Sequence, residues 1–132
     1  MHNECLAIAA AAVAAWIFGA IWYGLLGKAW QWAQGLDPAA CKDKKMPVTP
    51  MVASFLCELV MAFIFSKLLL SLGVIDWQYG AITGVLLAIG FMVTIIIVNN
   101  QFQRRKWLLR LIDRGHWIGV AAIQGAVLTA LL

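Results

Sequence analysis

The sequence predicts an all-α membrane protein, a bundle of four transmembrane helices. Of its 132 residues, 64% are hydrophobic and only 12% are charged, whereas about a quarter of the residues in soluble domains are charged. A globule this small has too few polar groups to cover its surface in water. Nine of the ten Lys and Arg residues fall in two stretches, 28–45 and 104–114, that separate hydrophobic segments. The bilayer is therefore the expected solvent.

The two basic stretches also predict the topology. Cytoplasmic loops of membrane proteins carry an excess of Lys and Arg. With the first and third loops inside, both termini and the second loop lie outside the cytoplasm. Of seven Trp and two Tyr, only Trp16 falls in the middle of a span. The other rings lie near the predicted interfaces, which aromatic side chains favour.

We expect one transmembrane domain over residues 1–132, with spans at about 6–26, 51–72, 79–98 and 111–132. Leu6–Leu26 holds 21 residues without a formal charge, enough to cross ~30 Å of hydrocarbon. Residues 117–132 alone cover only ~24 Å, so the fourth helix is expected to begin near residue 111. Residues 104–114 form either an amphipathic segment on the membrane surface or the lower end of the fourth helix.

The basic character of the chain predicts contact with lipid rather than with nucleic acid. The net charge is +4 and the sequence pI is about 9.2, but the charges lie beside hydrophobic spans, where anionic headgroups are the natural counter-charge. We expect a multi-pass protein of the cell inner membrane. The side chains predicted to contact cytoplasmic headgroups are Lys28, Arg104, Arg105, Lys106 and Arg110.

Glu58 is the charge that the topology does not explain. It lies about ten residues into the second span, near the midplane, where a carboxylate must be neutral, paired or in contact with water. It indicates either a proton- or cation-handling site or a packing residue that is hydrogen-bonded to a neighbouring helix. Gln124 lies at a similar depth in the fourth span. A hydrogen bond between Glu58 and Gln124 is therefore expected.

The other polar residues of the spans lie nearer the ends. His116 is expected close to the level of Asn99 and Asn100, where the three either line a polar inner mouth or cap helix ends at the interface. Lys67 follows Glu58 by nine residues and so lies on the opposite helix face. Its ammonium group is expected to extend to the outer headgroups.

Small residues recur at four-residue spacing, as in Gly80 and Gly84 or Ala121 and Gly125. Such surfaces allow helices to approach closely, because van der Waals packing is the main force between helices in lipid. The pattern predicts tight helix packing, within one subunit or in a homo-oligomer.

The sequence indicates no enzyme. A phosphate-binding GxxxxGK[ST] loop, an HExxH helix and a GxSxG turn are all absent from it. Its three cysteines and two histidines are predicted at different depths or on different sides of the membrane, so we expect no metal and no cofactor. No catalytic residue is assigned.

Several motifs resemble one known family. The first span carries Trp16-x-x-Gly19-x-x-Trp22-Tyr23-Gly24, followed by Gly27-Lys28-Ala29-Trp30, and later matches are Thr94, Asn99-Asn100, Phe102, Arg105, Gly115-His116 and Gln124-Gly125-Ala126. This pattern resembles a bacterial four-helix membrane family catalogued as domain of unknown function 1761 (DUF1761). The lysine-rich first loop and Glu58 depart from that family. The resemblance implies the fold and supplies no activity.

Two functions follow from these observations. The first is a structural or accessory membrane subunit that forms a homo-oligomer or joins a larger complex, since small-residue surfaces are abundant and no assembled site is evident. The alternative is a channel or transporter for a proton, a cation or a small solute that uses intramembrane Glu58.

Overall fold

The structure, a computed structural model, describes residues 2–33, 35, 48–104 and 106–132. Most of the first basic stretch lies outside these residues. The described part is helical, with α1 (His2–Ala33), α2 (Val48–Leu72), α3 (Trp77–Leu87), a π-helical segment (Ala88–Val93), α4 (Thr94–Gln103) and α5 (Trp107–Leu131). The segments from α3 to α4 form one continuous helix, Trp77–Gln103, called here the third span.

Three of these helices are long and apolar enough to cross a membrane: α1, α2 and the third span. Their large apolar side chains point outward, and Leu25, Ile64 and Leu86 are each more than 60% exposed. A water-soluble domain rarely exposes contiguous apolar surface on this scale. These outer faces fit hydrocarbon.

The ends of the helices follow local sequence signals. Gly73 adopts a positive φ of 70° after α2, the left-handed conformation in which glycine commonly terminates helices. Asp76 then caps α3 by accepting a hydrogen bond from the backbone N–H of Gln78 at 2.8 Å. Arg104 ends α4 in the left-handed region with φ 53°. Trp107–Arg114 is continuous with α5, so these residues form the lower end of the fourth helix rather than a separate surface segment.

Helix α5 is the centre of the bundle. It packs most extensively on α1 and α3 and also contacts α2, while α2 packs on α1. Its buried side chains recur every three or four residues, and they are Leu109, Ile112, His116, Val120, Ala121, Gln124, Gly125, Leu128 and Thr129. His116, Gln124 and Thr129 interrupt the apolar sequence of α5. Burial between the other helices therefore stabilises α5 more than exposure to lipid would.

Contacts at both ends of the bundle show an up-and-down arrangement. At one end, the Lys106 ammonium group donates to the carbonyl of Trp32 at 3.4 Å and lies 4.1 Å from the centre of the Trp32 ring. At the other end, Lys67 forms a salt bridge with Glu4. The end of α1 and the start of α5 therefore meet at one end of the bundle, and Lys28, Arg104 and Lys106 lie near it.

The contact between α3 and α5 requires glycine. A Cβ added to Gly84 would lie 2.0 Å from the carbonyl oxygen of Ala121, and one added to Gly125 would lie 2.0 Å from that of Gly80. These approaches are too close for any side chain, so the two backbones are in direct van der Waals contact. The Gly80–Gly84 and Ala121–Gly125 patterns of the sequence face each other here.

We expect Gly84→Ala to lower the free energy of unfolding by about 1–3 kcal/mol, because the added methyl group must push two backbones apart. Gly90→Ala is the matched control in the same span, where an added Cβ meets nothing within 4 Å. The control should be neutral or more stable, since alanine is the better helix former. Thermal unfolding of both purified variants in mild detergent measures the difference. Equal melting temperatures for the two variants would contradict this packing.

Candidate functional site

A cavity of about 320 Å³ lies between α1, α2 and α5. Helical spacing explains which residues reach it. On α1 the lining residues are Trp16, Gly19, Ala20 and Tyr23, on α2 they are Pro50, Met51, Ser54 and Glu58, and α5 supplies His116 and Trp117. Positions separated by three, four and seven residues share one helix face. Three helix faces therefore converge on one space.

Glu58 lies deepest among the α2 residues of this cavity. Its side chain is only 2% exposed, and its Oε2 atom is buried without a hydrogen-bond partner. Neither Lys nor Arg is among the described residues that line the cavity. A buried carboxylate oxygen without a partner is costly, so Glu58 gains stability from a proton or from a counter-charge bound in the cavity that it lines.

Gln124 does meet Glu58, but through the backbone. Its Nε2 donates to the carbonyl oxygen of Glu58 at 3.0 Å. The expected pairing of these two residues is therefore present between α5 and α2, while the carboxyl group that was expected to take part remains unpaired. Both residues are almost fully buried. This bond fixes the height of α2 against α5 and leaves the carboxyl group on the cavity.

His116 is surrounded by aromatic rings. Its ring centre lies 4.8 Å from that of Tyr23, 4.7 Å from that of Trp117 and 6.1 Å from that of Phe18, which is stacked parallel to it. Gly19 makes room for the imidazole, because a Cβ there would lie 2.8 Å from its Nε2. The Nδ1 atom is buried without a hydrogen-bond partner. The cavity thus holds two buried polar groups with unused hydrogen-bonding capacity.

Hydrogen bonds from the aromatic residues of α1 fix the position of the cavity walls. The Tyr23 hydroxyl donates to the Asp113 carboxylate at 2.7 Å, and the Trp22 indole donates to the carbonyl of Ile112 at 3.0 Å. Trp16 donates to the carbonyl of Met51 at 3.2 Å. These bonds connect α1 to α5 and to the start of α2, so hydrogen bonds within the protein hold the walls of the cavity in place.

The predicted polar residues do not form a single site. Asn99 is exposed, and Asn100 is buried on α4 with its Nδ2 atom unpaired. Neither is among the residues that line the cavity around His116. His116 therefore lines this cavity together with Glu58, and the two asparagines lie elsewhere.

Four of the five residues predicted to contact headgroups lie in the described part of the chain, and Arg105 lies outside it. Lys28, Arg104 and Lys106 are exposed, while Arg110 is half-buried and makes a further interaction within the protein. Lys67, expected to extend to the headgroups, forms a salt bridge with Glu4 on α1. Its exposed side chain lies near the end of α2.

Sequence reasoning missed the aromatic walls of the cavity. Trp16 gave the available signal, since it was the only Trp or Tyr predicted away from an interface. Tyr23 and Trp117 gave no such signal, because both lie near the ends of predicted spans, where aromatic residues are expected at the membrane interface. Among the described residues, no three His, Cys, Asp or Glu side chains are grouped as a metal site.

A family profile with the description "Protein of unknown function (DUF1761)" matches residues 6–129, nearly the whole chain. The chain belongs to the DUF1761 family. The resemblance seen in the sequence is thereby confirmed. Neither a curated protein nor a solved structure matches this DUF1761 chain, so the cavity geometry is the main guide to its function.

In this DUF1761 protein, Tyr23→Phe removes the hydrogen bond to Asp113 and leaves a partly buried carboxylate without that donor. We expect the free energy of unfolding to fall by about 1–2 kcal/mol. Tyr79→Phe is the control, because Tyr79 is 65% exposed on the third span and its substitution should change little. Thermal unfolding in detergent compares the two. A Tyr23→Phe variant as stable as Tyr79→Phe would show that the bond does not support the cavity wall.

Proposed function

We propose that this chain is an integral protein of the cell inner membrane that crosses it four times, with both termini outside the cytoplasm. Support comes from three helices with lipid-compatible surfaces and from α5, whose 25 residues are long enough for a fourth crossing at ~1.5 Å per residue. Lys28, beside the first loop, lies at the same end of the bundle as Arg104 and Lys106 of the third loop. The positive-inside rule makes that end cytoplasmic.

Within this membrane protein we propose a non-enzymatic site that binds and conducts a proton, a cation or a small solute. The observation that carries this proposal is that Glu58 and His116 line one cavity, and that each has a buried side-chain atom, Oε2 and Nδ1, without a hydrogen-bond partner. Polar groups inside a membrane are expensive and mark ion or substrate pathways. Binding of a proton or a cation would explain why α2 carries an acidic residue at this depth.

The cavity occupies one half of the bundle. It follows α2 from Pro50 to Glu58, a rise of ~12 Å, which begins at the end proposed to be cytoplasmic. Beyond Glu58 the space between the helices is filled by the buried core cluster of Ala7, Ala11, Ala12, Ala62, Phe65, Leu69 and Leu128. A solute that enters from the cytoplasmic half therefore reaches Glu58 and stops there. Passage to the other side requires α1 and α2 to separate at this core.

We further propose that anionic lipid headgroups are partners of the cytoplasmic end. Lys28 and Arg104 are exposed there, and Lys106 lies against the Trp32 ring, an arrangement suited to the interface of a membrane. Each cation near an anionic surface contributes about 1 kcal/mol of attraction. No contact with nucleic acid is proposed.

A second candidate function is a structural or accessory subunit in a homo-oligomer or a larger membrane complex. An apolar groove of about 330 Å³ between α2 and the third span favours it. Val60, Ile64 and Phe91 are exposed along this groove, so it offers a surface that another helix can fill. In this case Glu58 has only a packing role.

Glu58→Gln tests the first function against the second, because glutamine keeps the shape of the side chain and removes its charge and its proton. Reconstituted protein is placed in liposomes that contain a pH-sensitive dye, and proton uptake and ²²Na⁺ uptake are measured under an inward-directed potential. We expect one of the two cations to enter faster than into protein-free liposomes. Glu58→Gln should slow that flux at least about tenfold, a ratio equivalent to ~1.4 kcal/mol.

Glu4→Gln is the matched control. Glu4 is an acid at the outer end, paired with Lys67 and not part of the cavity lining, so this variant should conduct as the native protein does. If Glu58→Gln and the native protein give the same flux, Glu58 conducts neither protons nor Na⁺, and the accessory function is preferred.

A further inference from the structure

The walls of the Glu58 cavity limit the kind of solute that it can hold. The apolar residues Gly19, Ala20, Pro50 and Met51 form much of the surface, and the remainder is largely aromatic. The volume of about 320 Å³ is roughly twice that of a cavity that accepts benzene. A ligand of one ring with a bulky substituent therefore fits.

Most of the hydrogen-bonding groups at the cavity are already used within the protein. Trp16 Nε1 and Ser54 Oγ both donate to the carbonyl of Met51, at 3.2 Å and 3.4 Å, and the Tyr23 hydroxyl donates to Asp113. What these residues offer a ligand is mainly ring and methylene surface. A sugar or an amino acid, each with many polar atoms, would leave those atoms unpaired.

The charge of the cavity selects a cation. Glu58 is the only formally charged residue among the described residues that line it, and no Lys or Arg there offsets it. The rings of Trp16, Tyr23 and Trp117 add the negative faces of their π systems, which attract a cation within about 6 Å of the ring centre. A cavity with one carboxylate and aromatic and apolar walls is complementary to a hydrophobic ligand that carries one positive charge.

We propose that the ligand of the Glu58 cavity is a hydrophobic monovalent organic cation, such as a quaternary ammonium compound. This inference rests on the proposed function and names its substrate class. Glu58 supplies the counter-charge, and the tryptophan rings replace part of the hydration that the cation loses. His116, which also lines the cavity, adds a further aromatic ring.

The test compares two probes of the same shape. Phenyltrimethylammonium and tert-butylbenzene differ in one central atom, a positively charged nitrogen in the first and a neutral carbon in the second. Binding is measured by isothermal titration calorimetry on the full chain in dodecylmaltoside, with protein-free micelles subtracted. We expect the cation to bind at least about tenfold more tightly than the neutral compound, and Glu58→Gln to abolish that preference.

Trp117→Leu tests the aromatic contribution separately, with Trp77→Leu as its control because Trp77 is exposed at the outer end of α3. The first variant should weaken cation binding by about threefold or more, and the second should not. Dihexanoylphosphocholine as a competitor identifies the source of the cation. Strong displacement assigns the site to a lipid headgroup, weak displacement assigns it to a free solute, and both results support the same chemistry.

Equal affinity for the two probes, or cation binding that Glu58→Gln leaves unchanged, would overturn the assignment. Failure of this inference is distinguishable from failure of the proposed function. If neither probe binds while cation flux still depends on Glu58, only the ligand class is wrong. If neither probe binds and Glu58→Gln leaves the flux unchanged, both proposals fail.

Discussion

The burial of α5 between the other helices is the constraint on which the rest of the structure depends. Lipid cannot satisfy the polar groups of His116 and Gln124, so the helix that carries them must be enclosed by protein. Enclosure in turn requires close packing on α3, which Gly84 and Gly125 permit through direct backbone contact. The outward faces of α1, α2 and the third span are then left to the apolar side chains. The lipid-compatible exterior and the polar centre are consequences of one arrangement.

The small residues where α1 meets α5 have a different effect from those where α3 meets α5. Gly115 and Gly119 make room for the rings of Trp22 and Phe18, and Gly19 makes room for His116. Where α3 meets α5, small residues bring two backbones together; where α1 meets α5, they admit large rings between the helices. The rings separate α1 from α5 near His116. The cavity lies there, between these two helices and α2, and Glu58 lines it from α2.

Much of the architecture could be predicted because membranes impose simple rules on composition. Hydrophobic length predicted long helices, and the Gly80–Gly84 pattern predicted a close helix contact. The cavity was harder to predict, because it depends on which faces of α1, α2 and α5 converge. Residue spacing predicted that His116 lies near the level of Asn100. It did not predict that the imidazole ring contacts Phe18 and Tyr23 of α1. Glu58 could be identified from the free-energy cost of a carboxyl group in lipid. The other residues that line its cavity could be identified only from the three-dimensional structure.

The central proposal is that the cavity lined by Glu58 opens toward the cytoplasm, while the exposed neighbour Cys57 faces lipid. Cysteine accessibility tests this directly, with Cys5 and Cys41 replaced by serine. One protein keeps Cys57, and the other carries Cys57→Ser with Glu58→Cys. A membrane-impermeant trimethylammonium methanethiosulfonate reagent should modify Glu58→Cys rapidly in inverted vesicles and slowly in right-side-out ones, and should leave exposed Cys57 unmodified in both. Equal rates at the two positions, or modification of Glu58→Cys only from the outer side, would contradict the account.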